Sequence, residues 1–566
     1  MNNRNFFPML VAATFLAAFA SHQALADEAT VQVVASGIGV DANKALKSAF
    51  SNAIQQAVGL VADADTIVKN DQVIRDQVLA RSDAYIEKYD IVSQEKNPDG
   101  LVEVKIKATV RRRQLAEKLV EAKVLAKLEP SAPVAPSAPV APAETAAAPP
   151  PNNPATENYT VHAQGTYIAQ KHDHFTSPYS GPNSLKRDEP EADSVTATLF
   201  TGVRMPWEGG AIYFDPEMSG GQGLSGVSGL GDPSNGEIER VSTPTPEAYI
   251  ARLYYQQVFG LGGDREQVTS DQNQLAGSRD VSRITLSAGI FSATDFFDNN
   301  TYAHDPRNQF MNWGLITNTA WDYPADTRGY TNGVVIELNQ PAWALRYGVF
   351  TEPDASNGPH FDWHLPEAVG QALELEERWS IENRPGVVRL LSYLNSADMG
   401  VYQKATEHPG PNGPDVTATR GYHIKYGFGL NGEQALTDDL GAFCRLGWND
   451  GHTETWAYTE VDETASVGLS LKGNRWGRPN DVVGVAGVIS GLSSQHREYL
   501  EAGGLGFELG DGRISYSPEE VVEVYYDWKV VDHVSVTPDF QFVNNPAYNA
   551  DRGPVSIFGL RVHVEF

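Results

Sequence analysis

One cysteine, Cys444, stands in all 566 residues, so no internal disulfide can form, and a count of one says nothing against an oxidising compartment. Positive charge is also scarce. Lys and Arg number 43 against 72 Asp and Glu, a formal charge of -29, which excludes the phosphate backbone of nucleic acid as a partner. Long apolar runs are missing beyond residue 20. The run FFPMLVAATFLAAFA (6–20) follows Arg4 and precedes the small-x-small site Ala24-Leu25-Ala26. That is the layout of an export signal over residues 1–26, and it is short for a spanning helix of ~20 residues. No cysteine follows the site to carry a lipid. A mature chain without an apolar helix is soluble, peripheral or a β-barrel.

Catalytic and metal-binding patterns are equally thin, and no enzyme, cofactor or metal is expected. His172 and His174 would share one face of a strand with Asp173 opposed, which suits lumen or interface histidines better than a metal pair. Asp232, Asn235 and Glu237 in GDPSNGE lack the twelve-residue calcium-loop pattern and read as an acidic loop. GGLGFELGDG has neither the Lys-Ser/Thr nor the strand-to-helix setting of a phosphate loop.

What is present is patterned. Hydrophobic content of 41% is low for a helical membrane protein, while 10% aromatics and 51 Gly suit many strands and turns. Residues 27–128 read as a small α+β domain. VQVVASGIG is a strand, and Asp41 caps a helix carrying Ala45, Ala49, Ala53 and Ala57 at helical spacing. A second helix follows at about 70–84. YIEKYDIVSQEK and LVEVKIKATVRR form a hairpin across NPDG, and RQLAEKLVEAKVLAKLE closes the domain as a charged helix. Residues 129–155 hold the tract PSAPVAPSAPVAPAETAAAPPP, a stiff tether that builds no core.

From 156 to 566 the pattern is nearly all strand. About sixteen candidates fall at roughly 163–173, 194–206, 209–219, 247–258, 283–293, 332–340, 341–351, 376–384, 386–396, 421–431, 439–449, 465–473, 481–491, 518–528, 532–542 and 555–566. Tight turns such as 384–386 and 529–532 alternate with long loops such as 220–246, 298–331 and 397–420. Even strand number and one-sided long loops are the layout of an antiparallel outer-membrane barrel. In the final strand Phe558, Leu560, Val562, Val564 and Phe566 share one face, and Gly559, Arg561, His563 and Glu565 the other. A sandwich edge or a lipid-facing wall would each want that strand; its neighbours favour the wall. Trp448, Tyr526 and Trp528 read as interface-belt residues, and Asp551-Arg552-Gly553-Pro554 as a turn feeding the last strand.

Three segments carry a resemblance: HDPRNQFMNWGLITNTAWDYPADTRGYTNG (304–333), HREYLEAGGLGFELGDG (496–512) and PDFQFVNNPAYNADRGPVSIFGLRVHVEF (538–566). They are similar to the carbohydrate-selective porins of the OprB family, over about 156–566. The resemblance implies a sixteen-stranded pore for passive, carbohydrate-preferring diffusion across the outer membrane of a Gram-negative bacterium. Sugars and outer-membrane lipid are then its partners. Phe566 resembles the signal read by the barrel assembly machinery. The alternatives are a general or differently selective porin, or a barrel that anchors an envelope-binding domain. DANKALKSAFSNAIQQAVG, SDAYIEKYDIV and DGLVEVKIKATV loosely resemble the N-terminal domain of the flagellar assembly protein FlgT and related periplasmic modules. That implies a periplasmic domain with a protein or peptidoglycan partner. A sugar-preferring pore needs aromatic platforms beside Arg and carboxylates. Residues 298–333 concentrate those types, so Arg307, Trp321, Asp322, Tyr323, Asp326 and Arg328 are the expected constriction.

Overall fold

The computed structural model describes residues 31–39, 42–59, 85–96, 102–111, 156–238 and 244–566. The expected signal, Asp41 cap, helix at 70–84, NPDG turn, closing charged helix and Pro/Ala tract lie outside them. The chain divides into two compact units, Met1–Ala147 and Ala148–Phe566.

In the first unit β1 (Val31–Gly39), β2 (Ile86–Lys96) and β3 (Val102–Val110) form an antiparallel sheet in the order β1-β3-β2, with α1 (Ala42–Gly59) between β1 and β2 in sequence. Ala45, Ala49 and Ala53 give α1 a shallow face. With Ile54 they pack on Val104, Ile106 and Ala108 of the central strand, while Lys105 and Lys107 alternate to the outside.

The second unit is a closed barrel of sixteen antiparallel strands. They are β4 (Tyr159–His172), β5 (Ala192–Arg204), β6 (Gly210–Gln222), β7 (Glu247–Gly260), β10 (Arg283–Phe291), β11 (Thr331–Asn339), β12 (Trp343–Thr351), β13 (Val369–Ile381), β14 (Arg384–Met399), β15 (Gly421–Ala435), β16 (Leu440–Asn449), β17 (Glu463–Gly473), β18 (Arg478–Gly491), β19 (Glu519–Val531), β20 (Val534–Asn544) and β21 (Val555–Glu565). A small hairpin, β8 (Arg265–Val268) and β9 (Gly277–Asp280), stands outside the ring order. β21 pairs with β4 from Ile557↔His172 to Glu565↔Gln164, which leaves no open edge. Residue 566 extends this seam: the Phe566 and Ala163 amides each donate to the other's carbonyl, at 2.8 and 3.1 Å.

The burial pattern is that of a membrane barrel, apolar outside and polar inside. On β15 Tyr422, Ile424, Tyr426 and Phe428 are exposed while Lys425 is fully buried; on β21 Phe558 and Leu560 are exposed while Arg561 and His563 are fully buried. Such a wall is stable only with lipid against it. Exposed Trp207, Trp343, Trp379, Trp476 and Trp528 gather at the end with short turns, and Trp448 lies at the other, as interfacial aromatic belts do. No helix among the described residues is long and apolar enough to cross a membrane.

Three local expectations are corrected, the first being the turn placed at 529–532, which is Asp532-His533 with His533 at φ 67°, because Lys529, Val530 and Val531 continue β19. The strand placed at 376–384 is Val369–Ile381. Its first half, VGQALEL, is rich in helix formers, and only the alternation of buried Glu374 and Glu376 with exposed Leu373 and Leu375 reveals it. The turn expected at 384–386 is Glu382-Asn383, with φ of 51° and 63°. Positive φ at both central residues is the two-residue geometry that matches strand twist, so Arg384, Pro385 and Gly386 already belong to β14. At the short-turn end six connections hold two to five residues, and the seventh, 261–282, carries the β8–β9 hairpin.

Candidate lumen site

The longest connection, residues 292–330 between β10 and β11, folds inward and is held by side chains that project from the wall. Arg445 of β16 donates to the carbonyls of Ala303 (2.7 Å) and Leu315 (2.9 Å) and pairs with Asp298 (3.1 Å). Arg561 of β21 donates to the carbonyls of Pro306 and Gln309, both at 2.7 Å. Glu523 of β19 accepts the amides of Met311 (2.6 Å) and Asn312 (2.9 Å), and Glu374 of β13 accepts that of Asp298 (2.7 Å). A loop cannot be buried unless its backbone polar groups find partners. These charged strand residues, unusable in a lipid-facing position, supply them. α2 (Trp313–Ile316) begins inside the loop, with Asn312 capping it through the Gly314 amide.

Between this loop and β5, β6 and β7 lies a cavity of about 540 Å³, within the size range of small-molecule sites. Glu217 of β6 is its hub. The carboxylate accepts from Thr198 (2.5 Å), Tyr249 (2.7 Å), Tyr330 (2.7 Å) and Arg307 Nη2 (3.1 Å), while Arg307 Nε donates to Glu237 at 2.8 Å. Arg252 of β7 grips Asp295 with two bonds, 2.7 and 2.6 Å, and its guanidinium lies 5.4 Å from the Tyr330 ring. Arg328 stands 4.7 Å over the Tyr249 ring. Trp313 and Tyr458 stack at 5.0 Å with 4° between their planes, and Tyr323 tilts against Tyr458 at 4.4 Å. Rigid guanidinium forks, fixed carboxylates and flat aromatic faces therefore border one volume.

Burial works against the Arg307 charge, but the carboxylates of Glu237 and Glu217 outweigh it and hold its pKa well above the ordinary value. Burial raises Glu237, with Arg307 opposing. Asp326 is pushed up to about 6 by burial, although the amides of Tyr330 and Arg328 favour its charged form.

Of the expected constriction residues, Arg307, Tyr323, Asp326 and Arg328 line the cavity. Trp321 and Asp322 do not. Trp321 is fully buried, packed against Phe297 (6.0 Å) and Tyr323 (5.6 Å). Asp322 is buried behind the wall of the site, where it accepts the amides of Trp456 (2.8 Å), Ala457 (2.7 Å) and Tyr458 (3.1 Å). It thereby sets the position of the Tyr458 ring. Sequence reasoning missed Glu217, Tyr249, Arg252, Tyr330 and Tyr458. Tyr249 and Tyr330 lie at or just before a strand start, Glu217 and Arg252 lie inside strands, and Tyr458 lies in a loop; the available signal was a charged residue within an alternating strand, as in Phe214–Met218. The other polar motifs disperse: His172 pairs with Glu189 (3.1 Å), exposed His174 with Asp188 (2.6 Å), Asp232 with Ser490 (2.6 Å), and Asn235 with Ser194 (3.0 Å).

Residues 205–566 match a family described as "Carbohydrate-selective porin, OprB family". Among solved structures the chain is similar to "High pH structure of Pseudomonas putida OprB", with TM-score 0.54 and 15% identity, over 72% of this chain and 94% of that one. At that identity the likeness shows the fold alone. The outer membrane channel DcaP of Acinetobacter baumannii has TM-score 0.41 and 8% identity, over 72% and 97% of the two chains. A protein of Aquifex aeolicus (strain VF5), described as uncharacterized, is 36% identical over 95 residues, 15% of this chain and 29% of its own length.

Proposed function

The chain belongs to the OprB family of carbohydrate-selective porins, and on that premise we propose that it lets small neutral sugars diffuse passively across the outer membrane through the Arg307–Glu217 site. The observation that carries this reading is the pairing of charges within the cavity. Arg252, Arg307 and Arg328 face Glu217, Glu237, Asp295, Asp305 and Asp326, so the lining is dense in donors and acceptors and each Arg charge is matched by a carboxylate. An ion gains little there. A sugar losing bulk water regains hydrogen bonds from the fixed forks and lays its C–H face on Trp313, Tyr323 or Tyr458. Diffusion down a gradient needs no cofactor or energy source, and binding must stay weak enough for the solute to leave. Asp322 and Trp321 act behind the lining, by positioning it.

The short-turn end then faces the periplasm, as in outer-membrane barrels. Residues 27–128 are a separate periplasmic domain on the Pro/Ala tether 129–155, able to engage a periplasmic protein or peptidoglycan. Single-channel recording tests the pore reading. Millimolar neutral sugars should interrupt the ion current through the wild-type channel, and amino acids of similar size should do so far less. Equal interruption by both would leave a general pore.

A further inference from the structure

The connection 261–282 breaks the pattern of its end of the barrel. Its β8–β9 hairpin carries residues 269–276 into the lumen from the short-turn side. Asp271 and Gln274 exchange backbone bonds of 3.0 Å each, leaving Gln272 and Asn273 at the apex. Asn273 takes φ 54°, a left-handed conformation that Asn tolerates better than most residues. Inward-facing wall residues hold the apex. Ser270 lies 3.0 Å from Thr160, Gln272 donates to Gln164 (3.1 Å), and Asn273 donates to Asp215 (2.8 Å). Gln164 and Asp215 each stand five residues beyond the short-turn ends of their strands, so the apex reaches roughly 15 Å into the barrel at ~3.3 Å per residue.

Two cavities meet at this point. The 540 Å³ site lies on one side; on the other is a cavity of about 720 Å³ between the hairpin, the turn at 207–210 and the ends of β6 and β7. Asn273 and Gln256 line both. The Asn273 Oδ1 is buried and no group among the described residues donates to it, a costly arrangement for an acceptor unless something else meets it.

We propose that Gln272 and Asn273 form a second selecting zone on the short-turn side, in series with the Arg307 cluster, which sorts neutral polyhydroxylated solutes by size and hydrogen bonding as they pass between the two cavities. The inference rests on the pore reading. Carboxamides suit the task because they donate and accept without charge, so they engage hydroxyls without favouring either sign of ion. The structural alternative is a hairpin that only braces β4 and β6.

Full-length protein with Gln272→Gly and Asn273→Gly keeps the left-handed turn, since glycine adopts it freely, and removes both amides. In liposome swelling with a mono- to tetrasaccharide series, the rate for the tetrasaccharide relative to the monosaccharide should rise at least threefold. A second variant keeps the apex otherwise native: Gln272→Cys with Cys444→Ser, the latter position being exposed on the outer wall. A bulky neutral thiol reagent added from the short-turn side should cut its conductance by half or more, and trisaccharide should slow the reaction. An unchanged size profile in the glycine variant, or labelling that leaves conductance untouched, would overturn the selecting zone. A wild-type protein that passes no sugar would instead overturn the pore reading beneath it.

Discussion

Arg307 is the residue on which the site turns, because it joins Glu217 of the wall to Glu237 of a neighbouring loop. Arg307→Ala leaves two buried carboxylates without their cation, so cations should gain and sugars lose. A hydrogen bond involving a charged group contributes about 1.5–3 kcal/mol, so sugar block should weaken roughly ten- to a hundredfold, read from the concentration that halves the open-channel current. Trp321→Ala acts differently. The indole touches no lining volume, and its removal leaves a void behind Tyr323, costing ~3–5 kcal/mol. It should lower the thermal stability of the folded loop and change sugar block only as Tyr323 shifts. Asp326 supplies a pH dependence. Burial holds its pKa at about 6, above the ordinary carboxylate value, so it is charged above that pH and neutral below. Cation preference, measured by reversal potential, should therefore fall between pH 7 and pH 5, and Asp326→Asn should remove that step. A step of wild-type size in Asp326→Asn would assign it to another group.

At the level of elements the loop 292–330 borders the cavity proposed to select solutes, and the strands hold that loop in place. Arg445 alone satisfies three loop carbonyls, those of Asp298, Ala303 and Leu315, and pairs with the Asp298 carboxylate. Arg445→Ala should free part of the loop, raising single-channel conductance and the size limit for sugars while reducing their preference over amino acids. Conductance and size limit at wild-type values would show that the loop is held without it. Period-two alternation made most strands legible in the sequence, and the composition of 298–333 pointed to the loop. Arg307, Tyr323, Asp326 and Arg328, which line the cavity, were legible because they lie in that segment. Glu217, Arg252 and Tyr458 were not, since each comes to the cavity from a distant segment and looks, in sequence, like one polar residue in a wall or loop. Trp321 and Asp322 were misplaced for a related reason: composition says that an aromatic and an acid are near a pore and not which way they point. The hairpin apex was illegible because its short-side origin contradicts the usual division of loops and turns.

The whole molecule divides into two compact units, Met1–Ala147 and Ala148–Phe566, the second of which holds the barrel. If the first unit is independent, a chain lacking residues 27–155 should insert and conduct as the full chain does, and loss of conduction would show that the barrel needs the smaller unit. The purified protein should be β-rich by circular dichroism and change gel mobility on boiling, as closed barrels resist detergent until heated. The charge-paired, Arg-rich cavity is proposed to pass neutral sugars in preference to other solutes of the same size. Liposome swelling with a matched series of sugars, amino acids and salts reads it directly. Sugars should swell liposomes faster than size-matched amino acids with the wild-type protein, and the difference should shrink in Arg307→Ala. Rates that follow size alone, whatever the chemistry of the solute, would contradict it.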